Sequence, residues 1–242
     1  MTGRIIGIGL GPGDPELMSL RAYRLLTGAR HVAYFRKKGR AGRARKLAAS
    51  LIPSDALEFP MEYPVTTEIP VSDPRYNEML AAFYEECCAH LKTLISAGED
   101  VAVLCEGDPF FYGSFMHLYE RLKGDSPVEV VPAITGMSAA WTATGRPITW
   151  GDDVLSVVMG TLEADELVRH MKAADALVIM KVGRNLPKVR AALARAGKAR
   201  DAWLVECATM EEEKAMPLRD VPDGYVAPYF SIVLVHGQGR RP

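Results

Sequence analysis

The segment Gly7-Ile8-Gly9-Leu10-Gly11-Pro12-Gly13-Asp14-Pro15 closes an apolar run that begins at Arg4. The run reads as a buried strand, and the glycines, prolines and aspartate after Leu10 read as a tight loop at its carboxyl end. Glycine lets backbone approach a ligand closely, proline fixes the turn, and Asp14 can accept hydrogen bonds from amides or from a ligand. The register is wrong for a dinucleotide fingerprint: counted from Gly7 the third glycine falls on Pro12, and counted from Gly9 it falls on Asp14. Pro15 also stands where a phosphate-binding helix must present free amides.

A second loop of the same character, Glu106-Gly107-Asp108-Pro109 followed by Phe110, Phe111 and Tyr112, caps the apolar run 100–105. Read alone, Asp108 is as well explained by a strand-to-helix turn in which it accepts backbone amides. A third loop changes the balance. Pro132-Ala133-Ile134-Thr135-Gly136-Met137-Ser138-Ala139-Ala140 follows the next strand candidate, and its small residues leave room for a flat ligand against the backbone. Ligands of open α/β sheets bind outside the carboxyl ends of strands, so these loops predict one composite pocket.

Strand and helix patterns alternate through the first 145 residues. Strands are predicted at 4–10, 31–35, 100–105 and 128–132, and helices at 19–28, 43–51, 73–98, 114–122 and 135–144. In the longest helix Met79, Leu80, Phe83, Leu91, Leu94 and Ile95 form the expected apolar side, with Gly98 as the stop. This rhythm predicts an α/β fold with a mainly parallel sheet covered on both faces. Residues 144–152 break it and read as a linker between a first domain, 1–145, and a smaller second domain, 146–242. The second half reads as mixed α/β: strands at 154–159, 176–182, 202–208 and 229–236, helices at 165–173 and 186–197, and extra antiparallel strands within 211–221.

Composition narrows the chemistry. At 48% hydrophobic and 24% charged residues, the 242-residue chain is ordinary globular protein, which excludes disorder. A formal charge of −1 excludes a chain-wide electrostatic grip on nucleic acid. Cys87, Cys88, Cys105 and Cys207 form no CxxC pair and have no histidine at ligand spacing, so buried thiols are expected, with no metal. There is no signal-peptide pattern and no run of about 18 apolar residues, so a cytoplasmic protein with no membrane partner is expected. No nucleophile elbow is visible, and Glu206, Glu211, Glu212 and Glu213 read as a solvated acidic stretch. The run from Arg36 to Lys46 carries seven cations and no acid, which fits either a solvated loop or a rim that attracts a polyanionic small molecule.

Taken together in order and spacing, GIGLGPGDPEL, EGDPFFYGSF, PAITGMSAA, VIMKVG and YFSIVLV resemble the tetrapyrrole (corrin/porphyrin) methylases over essentially the whole chain. The YFRKKGRAGRARKLA and MKVGRNLPKV segments, with the GDPFFYGSF form of the second loop, are most similar to the branch that methylates carbon 20 of precorrin-2 in cobalamin biosynthesis. Members acting at another ring position, a diphthine synthase-like protein methylase and a non-catalytic binding module are the alternatives.

The resemblance implies a two-domain fold, a homodimer, S-adenosylmethionine as cofactor (leaving as S-adenosylhomocysteine) and a tetrapyrrole substrate. It assigns cofactor binding, in a cleft between the domains, to Gly107, Asp108, Pro109, Tyr112, Thr135, Gly136, Ala139 and Met180. It turns Gly11, Pro12, Gly13 and Asp14 toward the substrate, and it gives the cations at Arg36, Lys37 and Lys38 a polycarboxylate partner. Asp108, Tyr112 and Asp14 are the candidates for assisting proton loss. One position departs from the family pattern: Ala133 stands where a glycine is usual, and it would be strained if that glycine needs a left-handed backbone.

Overall fold

The computed structural model describes residues 2–66, 68–70 and 73–240. It divides into two units, residues 1–135 and 136–242. The first unit is built on a five-stranded sheet of order β3-β2-β4-β1-β5, with β1 Ile5–Gly9, β2 His31–Lys37, β3 Leu57–Tyr63, β4 Val101–Cys105 and β5 Val128–Val131. Every pairing in it is parallel. Such a sheet has to be covered on both faces, and side-chain alternation shows how. Ile5, Ala33, Val101, Val103 and Cys105 pack beneath helices α3 (Pro74–Ser96) and α4 (Phe115–Leu122). Ile6, Ile8, Val32, Ala102 and Leu104 pack beneath α1 (Leu20–Thr27) and α2 (Arg43–Leu47). Leu26 and Leu91, both fully buried, anchor the two faces; a leucine so buried contributes about 1.5–3 kcal/mol.

Local signals set the helix ends. Ser19 Oγ accepts the amide of Ala22 to start α1, and Gly28 ends it. Asp73 caps α3, with Pro74 in the first turn where its missing N–H costs nothing. The buried side of α3 is Phe83, Tyr84, Cys87, Cys88, Leu91 and Ile95, whereas Met79, expected on it, is exposed. Burial pushes the Cys87 thiol up to about 12 and Cys88 to about 11. Cys105 is buried too, while Cys207 lies past the end of its strand and is half-buried.

Strand β3 was not expected from the sequence. It is an edge strand, where Pro60 omits an amide the ladder does not need, and its acids Glu58 and Glu62 alternate with Leu57, Phe59, Met61 and Tyr63.

The second unit holds a five-stranded mixed sheet of order β6-β7-β10-β8-β9, with β6 Leu155–Met159, β7 Ala176–Met180, β8 Ala202–Glu206, β9 Lys214–Pro217 and β10 Ser231–Val235. β6 and β7 are parallel, β10 is antiparallel to both β7 and β8, and β9 is the extra antiparallel strand expected within 211–221. α6 (Ala164–Ala173) and α7 (Leu186–Arg195) cover one face through Leu167, Met171, Val189 and Leu193. α5 (Gly136–Ala143) covers the other through Ala140, with Val178, Val205 and Leu234. Those contacts place α5 with the second unit, upstream of the expected division at 145. Residues 144–152 are bound into that unit rather than free: Gly237 donates to Ile148 O (2.9 Å), Trp150 N donates to Asp153 Oδ2 (2.9 Å), and Ile148 is buried.

Candidate active site

In the first unit the loops after β1, β4 and β5 meet. Leu10 N donates to Cys105 O (2.9 Å), and Gly107 N donates to Gly11 O (2.9 Å), forming an isolated antiparallel bridge between the first two loops. Gly9 lies where all three loops converge: a Cβ added there would sit 2.6 Å from Ala133 Cβ, 2.9 Å from Gly107 O and 3.0 Å from Pro109 Cδ. No side chain fits, so glycine is required by close approach.

Asp108 ties the arrangement together. Its Oδ1 accepts the amide of Phe110 (2.9 Å) and its Oδ2 accepts the amide of Ala133 (2.9 Å). Both oxygens therefore organise backbone, as the turn reading of this residue anticipated. Ala133 itself is not in the left-handed region, so replacing the usual glycine brings no backbone strain and its amide still completes the clamp. Asp14 also organises its own loop, since it accepts the amide of Glu16 (2.8 Å) and caps a single 3-10 turn, Pro15–Leu17, in place of a phosphate-binding helix.

The other predicted cofactor residues divide between the units. Gly107 has φ +65°, and an added Cβ there would meet nothing within 4 Å, which leaves open space beside this turn. Pro109 is buried, Tyr112 is exposed with a left-handed φ of 56°, and Thr135 is half-buried. A non-glycine residue held left-handed costs about 1–3 kcal/mol and persists where the surroundings over-determine it. In the second unit Ala139 is buried in α5, and the nearest atom to a Cβ added at Gly136 is Ile232 Cδ1 at 4.0 Å. Met180 ends β7, and its carbonyl accepts Gly160 N (2.7 Å). Left-handed Lys181 follows it; Cys207 and Thr209 are left-handed just past β8. All the left-handed non-glycine residues described thus lie beyond the carboxyl ends of β4, β7 and β8.

The basic run is less open than its sequence implies. Arg36 pairs with Glu62 (2.6 Å), Lys37 with Glu68, and Arg45 with Glu58 (2.9 Å). These bonds hold the Glu58 and Glu68 carboxyls below the usual range, through Arg45 and Lys37 respectively. Among the described residues Lys38 and Arg40 form no ion pair, and both are exposed at a turn closed by Arg40 N donating to Lys37 O (3.0 Å). The partners of the run come mostly from β3, the strand missed in the sequence. Glu106 is the other residue to which the sequence gave no role: burial pushes its carboxyl up, Arg43 pulls it back, and Oε1 accepts Ala44 N (3.2 Å). Among the described residues no three His, Cys, Asp or Glu side chains are grouped to hold a metal ion.

The family model for tetrapyrrole (corrin/porphyrin) methylases matches residues 4–221. The chain belongs to that family. A Sinorhizobium sp protein named precorrin-2 C(20)-methyltransferase is 48% identical to this methylase over 241 residues, spanning 100% of this chain and 98% of its own length. A Salmonella typhimurium protein named cobalt-precorrin-2 C(20)-methyltransferase is 29% identical, spanning 98% of both chains. Among solved structures, the uroporphyrin-III C-methyltransferase of Thermus thermophilus complexed with S-adenosylhomocysteine is 26% identical, with a TM-score of 0.68, covering 96% of this chain and 92% of its own.

Proposed function

We propose that this methylase transfers a methyl group from S-adenosylmethionine to carbon 20 of precorrin-2, giving precorrin-3A in cobalamin biosynthesis. The observation that carries the reading is the full-length likeness to the Sinorhizobium protein, far above the likeness to the cobalt-precorrin-2 enzyme; it favours the metal-free substrate. A homodimer, implied by the family, and a cytoplasmic setting belong to the same proposal.

The residues present fit a cofactor held largely through backbone. Gly107 in the first unit and Gly136 in the second each have open space where a side chain would stand. When bound, S-adenosylmethionine supplies the methyl group and its own leaving group. The chain's work is alignment and exclusion of water, and alignment alone is worth several orders of magnitude in a bimolecular transfer. Asp108 serves this by fixing the loops at Phe110 and Ala133. Tyr112 and Asp14 are the side chains we assign to assisting proton loss from the methylated carbon. Gly11, Pro12 and Gly13 present the first loop to the macrocycle, and Lys38 and Arg40 join Arg36 and Lys37 in meeting its carboxylates.

Turnover of precorrin-2 to a trimethylated product, followed by mass spectrometry with metal-free and cobalt-loaded substrate, tests the reading. Activity confined to uroporphyrinogen III, a later corrinoid or a protein side chain would place the enzyme elsewhere in the family. Cofactor binding with no transfer to any tetrapyrrole would make it a binding module. Because Arg36 and Lys37 already hold carboxylates, Lys38→Gln with Arg40→Gln should raise KM for the tetrapyrrole more than Arg36→Gln with Lys37→Gln, leaving cofactor affinity unchanged.

A further inference from the structure

Glu106 and Asp108 flank the left-handed Gly107, and their side chains reach different elements. Asp108 reaches forward to the amide of Ala133 after β5; Glu106 reaches back to the amide of Ala44, in the first turn of α2. That first turn is further constrained at Gly42, where an added Cβ would lie 2.7 Å from Phe35 O and 2.8 Å from the Tyr34 ring. We infer that Glu106 is a positioning residue that holds the start of α2, and with it the basic segment Arg36 to Lys46, at the carboxyl end of β4. This rests on the reading of that segment as the substrate's carboxylate contact.

Three observations carry the inference. The Ala44 amide is one of the donors that a helix leaves unpaired in its first turn, and α2 has no side-chain cap of its own at Gly42. Glu106 supplies that acceptor from another element, 62 positions away in sequence. The carboxylate also faces a cation of the same segment, Arg43, whose charge opposes the upward push of burial. Burial keeps the adjacent Cys105 thiol neutral, so Arg43 is the charged group that acts on this carboxylate. The segment is then fastened at both ends: by Glu62 and Glu68 at Arg36 and Lys37, and by Glu106 and Glu58 at Ala44 and Arg45. Between the fastenings lies the exposed turn with Lys38 and Arg40. A fixed turn presents its cations in one arrangement, so substrate binding orders fewer side chains and loop residues on arrival.

The test uses Glu106→Ala and Glu106→Gln in the full chain. Glutamine keeps an oxygen for the Ala44 amide; alanine does not. Without any ligand, trypsin should cut the 36–46 segment of Glu106→Ala about tenfold faster than wild type, with Glu106→Gln close to wild type. In steady-state assays Glu106→Ala should raise KM for the tetrapyrrole about tenfold, with kcat and the S-adenosylmethionine Kd within about twofold, and Glu106→Gln should restore KM. Wild-type cleavage in Glu106→Ala overturns the inference whatever the activity, as does an equal loss of affinity for cofactor and tetrapyrrole. Glutamine behaving like alanine also overturns it, because the accepted hydrogen bond would then not be what holds the segment. If the wild-type protein methylates no tetrapyrrole while Glu106→Ala is still cut faster, the substrate reading falls and the fastening stands.

Discussion

The two sheets differ in how they shape their carboxyl-terminal loops, although Tyr112 after β4 shares the left-handed backbone that recurs in the second unit. In the first unit the loops after β1, β4 and β5 are set by missing side chains and by a carboxylate: Gly9 allows the three to touch, and Asp108 holds two of them by backbone amides. In the second unit the turns after β7 and β8 are made by residues that keep their side chains in left-handed backbone, Lys181, Cys207 and Thr209. Neighbouring bonds enforce this, as where Cys207 N donates to Phe230 O (2.7 Å). The lesson is one of sign: adding a Cβ should damage the first unit, while removing one should relieve the second.

The largest expected effect is therefore at Gly9. Gly9→Ala places a methyl group 2.6 Å from Ala133 Cβ, and overpacking of this kind costs about 1–3 kcal/mol. Denaturant unfolding should register that loss, and calorimetry should show S-adenosylmethionine affinity reduced by more than about tenfold, since the loops must separate. Wild-type affinity in this variant would break the comparison outright.

Asp108→Ala comes next. It leaves the amides of Phe110 and Ala133 without their acceptor; water can replace it at the exposed Phe110 amide, so the cost, about 1–3 kcal/mol at most, falls on the part-buried Ala133 amide. Cofactor affinity should fall about tenfold; an unchanged Kd would reduce Asp108 to a neutral turn residue.

For the second unit, Lys181→Gly should have the reverse sign. The lysine is exposed with φ 53°, and relieving the left-handed strain should raise stability by up to about 1 kcal/mol after the added unfolded-state freedom of glycine. A lower midpoint in urea would mean that the side chain, not the backbone, shapes the turn.

The smallest effect concerns pH. His236 is buried near Pro147 O and Thr144 Oγ1, and burial holds its pKa below the ordinary value, helped by Arg146 and opposed by the Pro147 bond. A histidine kept neutral in the folded state stabilises fully above its unfolded pKa of about 6.5. That stability is lost as pH falls from there through the lower folded pKa. The melting temperature should accordingly drop on acidification, and His236→Gln should flatten the dependence; an equally steep profile would assign it to other groups.

What could be read from the sequence follows from how local each cause is. Strand β1, its loop, and the starts of the helices expected from 19 and 73 depend on neighbours in the chain, and they lie where expected, with Ser19 and Asp73 as the capping residues. The function of Asp108 was half visible: its bond to Phe110 is local, but its bond to Ala133 spans 25 positions and needs β5 beside β1. Strand β3 was hidden by Pro60 and two glutamates, although Leu57, Phe59, Met61 and Tyr63 alternate as a strand requires. That omission had a further effect, because Glu58 and Glu62 neutralise part of the basic run, which looked uncompensated without them. On α3, Met79 matched the apolar period but is exposed, while Tyr84, Cys87 and Cys88 fill the buried side.

The position of β10 bears on how the protein is made. Ser231–Val235 is the last strand described, yet it lies in the middle of its sheet, bonded to β7 on one side and β8 on the other. Until the ribosome has released it, β7 and β8 are nascent edges with unpaired amides and carbonyls, open to any passing strand. The first sheet closes with β5, more than ninety residues earlier in synthesis. The first half can thus be folded while the second is still exposed, and that interval is when a chaperone has most to protect.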